Sequence, residues 1–476
     1  MDTLVTILAV ALPLIEILGI LTAVHAVMNV RTAQGAVAWS IALVTFPFVT
    51  LVLYAIFGRN RFQGYVTLRT RRDARIRHLV DALWEDARQN ELTRPPASDA
   101  EQALTRLAEM PILKGNRSRL LIDGRETFDC LFEDIAAARS YILVQFFTVK
   151  DDRLGRRLQS ALIRKARQSV RVYFLYDEIG SHKLPSRYLR DMQRAGIQVN
   201  AFHSTRGRTN HFQLNFRNHR KIVVIDGRIA FVGGHNVGDE YLSEHPRFGR
   251  WRDTHLRVAG PVVKAVQFAF LEDWHWAARH IPEWNWQLEA APSGSEEMLL
   301  VASGPADPLE TCGLMFVQAI HMARTRVWIA SPYFVPDIQI LSALKLAALR
   351  GVDVRILLPD RPDHRTVHLA SFAFYARTLP AGIKLYRYTA GFMHQKVFLV
   401  DRQCSAVGSA NLDNRSFRLN FELTLLNFDR DAIRAVETML REDFDHSRRV
   451  ALEEYSARGF AFRLAVQSAR LLAPVL

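Results

Sequence analysis

Asn218-His219-Arg220-Lys221-Ile222-Val223-Val224-Ile225-Asp226 finds its own pattern again 175 positions later, in Met393-His394-Gln395-Lys396-Val397-Phe398-Leu399-Val400-Asp401. Both read H-x-K-x4-D. The agreement continues past the aspartates: Gly233 and Gly408 each lie 14 residues after their histidine, and Asn236 and Asn411 each lie 17 after. One such match is a weak signal, whereas two with the same trailing glycine and asparagine mark a duplicated unit. Upstream, residues 141–147 and 327–334 read as strands followed by helical patterns, and 170–176 and 352–358 as the next strands. Gly196-Ile197-Gln198-Val199 matches Gly382-Ile383-Lys384-Leu385. The first copy carries a longer connection to its histidine, a basic loop with Arg206, Arg208 and Arg217. Strands alternating with helices in both copies predict two α/β units, a duplicated domain rather than a short-period solenoid.

Residues i and i+2 of a strand share a face, so His219 points with Lys221, and His394 with Lys396. Packing the copies about a pseudo-two-fold axis gathers two imidazoles and two ammonium groups in one pocket. That set suits an anionic phosphodiester. The lysines neutralise non-bridging oxygens, and Asn236 and Asn411 can donate to them. One histidine can attack phosphorus while the other protonates the leaving alkoxide and later deprotonates the incoming hydroxyl. Two neighbouring imidazoles resist both being charged, which predicts one neutral and one protonated ring. No metal ligands and no cofactor are called for.

Composition narrows the partner. The 476 residues are 49% hydrophobic and 23% charged, with a formal charge of +14 and only three cysteines. This excludes a disulfide scaffold and a multi-cysteine zinc module, and it favours an acidic partner. Charge is unevenly spread, because Asp2, Glu16 and Arg31 are the only charged residues among the first 58. Two apolar segments, residues 4–27 and 36–57, are each long enough to cross a bilayer at about 20 residues per span. The second, without any charge, is the stronger candidate; the first contains Pro13, Glu16 and His25. Arg59, Arg61, Arg69, Arg71, Arg72, Arg75 and Arg77 crowd the exit of the second segment, against Arg31 alone in the connecting loop. Positive flanks stay on the cytoplasmic side, so the body is expected there, and in a bacterium it would lie against the inner leaflet.

The duplicated motif with its trailing Gly-Ser-x-Asn resembles the phospholipase D superfamily. Within it the chain is similar to bacterial cardiolipin synthases over nearly its whole length. The supporting segments are Ala38-Trp39, Phe216 to Lys221, Trp251-Arg252-Asp253, Ser331 to Pro336 and Asn411 to Phe417. The resemblance implies two α/β/α sandwich halves related by a pseudo-two-fold axis and preceded by a membrane-anchoring helical pair. It also implies metal-independent phosphatidyl transfer between two phosphatidylglycerol molecules, giving cardiolipin and glycerol through a phosphohistidine. By matching position, His219 is the nucleophile and His394 the general acid/base, with Lys221 and Lys396 beside them. Asp253 and Glu422 match the acidic residues that orient the histidines. Asp226 and Asp401 complete the catalytic motif, although a structural role at the strand ends suits them better than proton carriage. Gly233, Gly408, Ser409, Asn236 and Asn411 are the substrate-binding candidates. One departure is visible: Gly234 stands where the second copy has Ser409.

The expected organisation is a membrane anchor over 1–58, a polar helical linker over 59–116, the two halves over 117–289 and 290–450, and an amphipathic tail over 451–476. Trp274, Trp276, Trp284 and Trp286 form either an interfacial patch or a core cluster, and the tail either meets lipid or packs on the second half. The expected partners are membrane phospholipids, phosphatidylglycerol and cardiolipin, with no nucleic acid. Competing readings are a phospholipase D-type hydrolase, whose acceptor is water, and cardiolipin synthesis with phosphatidylethanolamine as co-substrate. A membrane scaffold with a degenerate site is disfavoured by two intact motifs.

Overall fold

The computed structural model describes residues 2–58, 62–70, 74–202 and 215–475. Arg59, Arg61, Arg71 and Arg72 of the expected basic flank lie outside the described residues, as do Arg206 and Arg208 of the extra loop and the side chains of Arg69, Arg75 and Arg77.

In the N-terminal unit the apolar front folds as helices Asp2–Asn29, Ala33–Thr45 and Pro47–Phe57. The sequence favoured the second apolar segment as a span, and the structure breaks it. Phe46 leaves helical geometry (φ −135°, ψ 57°) because Pro47 cannot supply the N–H that would continue the helix, and Pro47 instead starts the next one. Among the described residues, Ala9–Asn29 is the helix long and apolar enough to cross a membrane. The helices pack through Ala23, Ala26, Leu43 and Tyr54. A Cβ on Gly19 would stand 2.5 Å from Leu43 O, so glycine permits that approach. His25 Nδ1 and Tyr54 Oη are 2.9 Å apart.

The larger unit contains the duplication. In its first half, strands Gln198–Phe202, Arg171–Asp177 and Tyr141–Phe146 run parallel. Ile222–Ile225, Ile229–Gly233, Thr254–Ala259 and Ile112–Ile122 then follow, each antiparallel to the one before. The second half repeats that order. Lys384–Tyr388, Asp353–Pro359 and Arg326–Ala330 are parallel, and Val397–Val400, Cys404–Gly408, Asn420–Asn427 and Glu296–Ser303 follow antiparallel. The outermost strands, Ile112–Ile122 and Glu296–Ser303, pair with each other and join the two sheets.

Helices cover both sheet faces, as the strand alternation requires. Ile142, Val144, Val223 and Ile225 face a core with Phe128, Leu131, Leu158 and Met192 from the helices Asp123–Ala137, Arg153–Arg167 and Ser186–Arg194. The intervening residues turn to the opposite helix, Val262–Ala278: Tyr141 Oη donates to Gln267 Oε1 at 2.7 Å, and Tyr173 meets Trp274 edge-on at 5.2 Å. Trp274, Trp276 and Trp284 are buried there, so the core reading of the tryptophan cluster holds for these three. The tail helix Phe460–Leu471 divides its faces. Val466 and Ala469 turn inward and Phe462 packs edge-on against Phe372, while Phe460, Leu464 and Leu471 remain exposed.

Candidate active site

Two short bridges between the halves build the centre. Phe421 pairs in parallel with Asn218, and Arg252 with Met393. The backbone N–H of His219 donates to Phe421 O at 2.9 Å, and that of His394 donates to Arg252 O at 2.8 Å. The residues just beyond these contacts are Glu422 and Asp253. Each histidine is therefore set against the acidic residue of the other half. His219 Nδ1 lies 2.9 and 3.1 Å from the Glu422 carboxylate oxygens, and His394 Nδ1 lies 2.8 Å from Asp253 Oδ2. An ionised carboxylate can only accept, so Nδ1 carries the proton in both rings and Nε2 presents a lone pair.

Burial controls the charges. It pushes His219 down to about 4 despite Glu422, and His394 down to about 4, with Lys396 adding to the effect and Asp253 opposing it. Both rings are thus neutral near pH 7 in the free protein, where the sequence had predicted one neutral and one protonated. Burial also lowers Lys221 well below an ordinary lysine and brings Lys396 to about 8, each opposed by nearby carboxylates. Asp253 stays ionised: burial pushes its pKa up, but Lys396 and His235 together hold it well below the usual carboxylate range. Lys221 Nζ donates to His219 O at 2.6 Å. Lys396 Nζ contacts His394 O and lies 2.8 and 3.2 Å from the two ring nitrogens. Because Lys396 also lowers His219, the charged groups of both halves act on one another.

The two carboxylates are supported differently. Glu422 also accepts from Ser409 Oγ at 2.5 Å, Ser416 Oγ at 2.9 Å and Asn420 Nδ2 at 3.0 Å. Asp253 accepts from Thr254 N at 2.8 Å. The departure at Gly234 now has a cause, since a Cβ there would stand 2.0 Å from Asp253 Oδ1. Aspartate is one methylene shorter than glutamate, and its carboxylate occupies the space that a serine would need. Serine with glutamate and glycine with aspartate are two solutions to one contact.

The structure gathers His219, Lys221, His394, Lys396, Asp253 and Glu422, and sets Asp226 and Asp401 apart. Asp226 accepts from the N–H groups of Arg139, Ser140 and Tyr141 at 2.7–2.9 Å. Asp401 accepts from those of Arg324, Thr325 and Arg326 over the same range. Each pins the start of the neighbouring strand, at the far end of the apolar run from its histidine. Gly233 and Gly408 are accounted for by strand packing: a Cβ would stand 2.6 Å from Thr254 O in one case and 2.4 Å from Leu423 O in the other. Asn236 is engaged by Thr148 N at 3.1 Å and Tyr241 Oη at 2.9 Å, whereas Asn411 Oδ1 is buried without a partner among the described residues. Ser409 spends its hydroxyl on Glu422.

Sequence reasoning missed Ser416 and Asn420 as carboxylate supports, and Phe147 and Trp251, whose rings lie 5.1 Å from those of His219 and His394. Ser416 falls within the segment quoted above for the resemblance, so its position was available and its partner was not. Among the described residues no group of three or more His, Cys, Asp or Glu side chains is arranged to hold a metal ion.

Known proteins resemble this chain. The family described as cardiolipin synthase, PLD-like domain, matches residues 131–246 and 316–444, and the phospholipase D-nuclease N-terminal family matches 17–59. A cardiolipin synthase A of Pseudomonas putida is 49% identical over 468 residues, spanning 98% of each chain. One from Pseudomonas fluorescens is 49% identical over 472 residues, again 98% of each. Among solved structures, a phosphatidylserine synthase of Haemophilus influenzae superposes with a TM-score of 0.61 at 14% identity, covering 80% of this chain and all of that one. A polyphosphate kinase of Porphyromonas gingivalis gives 0.50 at 14% identity, over 75% of this chain and 52% of that one. At such identity these two speak for the fold alone.

Proposed function

The chain belongs to the cardiolipin synthase family of phospholipase D-like proteins, and from that premise we propose that it joins two phosphatidylglycerol molecules into cardiolipin and releases glycerol. The observation that carries the reading is the crossed pairing of His219 with Glu422 and His394 with Asp253. It prepares two Nε2 atoms of the same tautomer beside two lysines, which is what a two-step exchange at phosphorus needs.

His219 Nε2 attacks the donor phosphorus. The bond from phosphorus to the glycerol oxygen breaks, and His394, having taken up a proton with the anionic substrate, gives it to that oxygen. Glycerol leaves, and the phosphatidyl group stays on His219. The hydroxyl of a second phosphatidylglycerol then loses its proton to His394 and attacks phosphorus, and the bond to His219 breaks. One phosphodiester replaces another, so no external energy source enters. Lys221 and Lys396 offset the charge on the non-bridging oxygens, while Glu422 and Asp253 hold the rings and stabilise whichever becomes cationic. Neutral, buried imidazoles suit the first attack, because a protonated ring has no lone pair at Nε2.

The protein is membrane-anchored, and the arginines that follow the apolar front support a catalytic unit on the cytoplasmic face of the inner membrane. The test is incubation of the purified full chain with labelled phosphatidylglycerol. Cardiolipin and glycerol in equal amounts are expected; phosphatidic acid as the main product identifies a hydrolase instead. A dependence of cardiolipin yield on added phosphatidylethanolamine would replace the second phosphatidylglycerol as co-substrate.

A further inference from the structure

A cleft lies in the second half, beside the reacting centre. It is narrow, and its walls include Tyr333, Asp363, His368 and Arg387. It opens at the carboxyl ends of the parallel strands Arg326–Ala330, Asp353–Pro359 and Lys384–Tyr388, where α/β sheets receive their ligands. Arg387 is 3% exposed, and among the described residues no carboxylate is hydrogen-bonded to it, although Glu454 is close enough to feel its charge. Its guanidinium donates to Tyr375 Oη and, at 3.4 Å, to Asp360 O, and it lies over the Phe372 ring; its Nε is buried without a partner. A buried cation in this condition calls for an anion. The helix Arg365–Thr378 begins at the same cleft, with His364 at its N-cap making no side-chain hydrogen bond, so the positive end of that helix adds to the demand.

The cleft also holds one carboxylate. Asp363 accepts from Tyr333 Oη at 2.6 Å and from His364 N at 2.7 Å, and it lies near enough to His394 and Lys396 to favour the protonated form of each. The accepting group is thus on the side of the reacting centre, and the Arg387 guanidinium lines the same cleft. Strand register shows the difference at this one position: Pro359 pairs with Tyr388 as Asp177 pairs with Phe202, which puts Ala201 where the second half has Arg387.

We propose that this cleft binds the headgroup of the acceptor lipid, with Asp363 taking a glycerol hydroxyl and Arg387, with the helix N-terminus, holding the acceptor's own phosphodiester. The inference rests on the function proposed above and goes further, by separating acceptor from donor. A reaction whose product carries two phosphodiesters calls for a second anion site beside the reacting centre. Phosphate held at Arg387 leaves the three-carbon glycerol to reach toward His394, the group that takes the hydroxyl proton.

The experiment compares two acceptors for the same phosphatidyl-enzyme, using the full chain in detergent with phosphatidylglycerol. Exchange of labelled glycerol into phosphatidylglycerol uses an acceptor without phosphate, and cardiolipin formation uses one with it. Arg387→Gln is expected to lose cardiolipin formation about tenfold or more beyond any loss of glycerol exchange, and Arg387→Lys to recover part of the difference. His368→Ala, at a half-buried position on the same wall, is expected to shift the ratio in the same direction and serves should Arg387→Gln melt early. Equal loss of both reactions, or no change in their ratio in either variant, overturns the proposal while leaving the function standing. A wild-type chain that exchanges glycerol yet forms no cardiolipin overturns both, and does so before any variant is made.

Discussion

His219 and Glu422 are 203 positions apart, one in each half, and yet the imidazole Nδ1 lies 2.9 Å from the carboxylate Oε2. The mirror relationship, His394 to Asp253 across 141 positions, means that neither half contains a complete histidine–carboxylate pair. The short parallel bridges Phe421–Asn218 and Met393–Arg252 enforce this crossing through the backbone, one residue before each contact. The pseudo-two-fold axis is therefore part of the chemistry, since each half orients the reactive group of the other.

The crossed pairs predict how acid loss divides between the two steps. Asp253→Asn leaves His394 without the partner that stabilises its protonated form, so kcat for glycerol release is expected to fall by about 10²–10⁴-fold with little change in KM. A donor carrying p-nitrophenol in place of glycerol needs no proton on its leaving group. With that donor, the release burst of Asp253→Asn and His394→Ala should recover most of the loss, and His219→Ala should recover none. Recovery in His219→Ala instead would exchange the roles of the two histidines.

Gly234 and Ser409 occupy equivalent positions with opposite requirements. Gly234→Ser forces a Cβ to within 2.0 Å of Asp253 Oδ1, so the carboxylate or the strand must move and His394 loses its support. Activity is expected to fall with Gly234→Ser to nearly the level of Asp253→Asn. Ser409→Ala removes one of several donors to Glu422 and leaves the others in place. Its cost is expected at about 1–2 kcal/mol in kcat/KM. Steady-state kinetics on both variants, with thermal unfolding as control, separates the two.

Asp226 and Asp401 belong to the motif but should behave as stability residues. Each accepts three backbone N–H groups, and Asp401 also takes the Thr325 hydroxyl at 2.7 Å. Alanine at either position is expected to cost about 1–3 kcal/mol of stability while activity per folded molecule is retained. For Asp401, burial raises the pKa but the N–H groups of Arg326 and Arg324 prevail and hold it below its ordinary value. A depressed carboxylate stabilises above its unfolded pKa, and that contribution is lost as pH falls through the folded one. Asp401→Asn should therefore flatten the acid limb of a melting-temperature profile below about pH 4.

The duplicated halves were legible because each motif is local: histidine, lysine and apolar strand sit within nine residues, and the copies confirm each other. The carboxylates could be placed by resemblance, but their crossing could not be read, because it depends on two-residue bridges too short to leave any periodicity. Gly234 looked like a lost hydroxyl until Asp253 was found in the vacated space. The break at Pro47 was visible in the letters, and counting apolar residues passed over it. Arg387 carried no signal at all, since a lone arginine in a strand reads as edge decoration until its burial is known.

The pH dependence follows from three buried groups. Attack needs His219 neutral, which holds above about pH 4, and leaving-group protonation needs His394 cationic, a fraction that shrinks above about pH 4. Phosphate binding also draws on the charge of Lys396, which is complete well below pH 8 and lost as pH rises through it. The profile of kcat/KM, which reports the free protein, is therefore expected to decline with a slope near −1 from about pH 5 and to steepen above about pH 8. A bound phosphodiester favours the protonated His394, so the kcat optimum should lie at higher pH than that of kcat/KM. Lys396→Arg keeps its charge throughout this range and should remove the steepening near pH 8 while leaving the histidine-dependent slope. A break at pH 8 that persists in Lys396→Arg would have to come from another group, with Lys221 the next to replace.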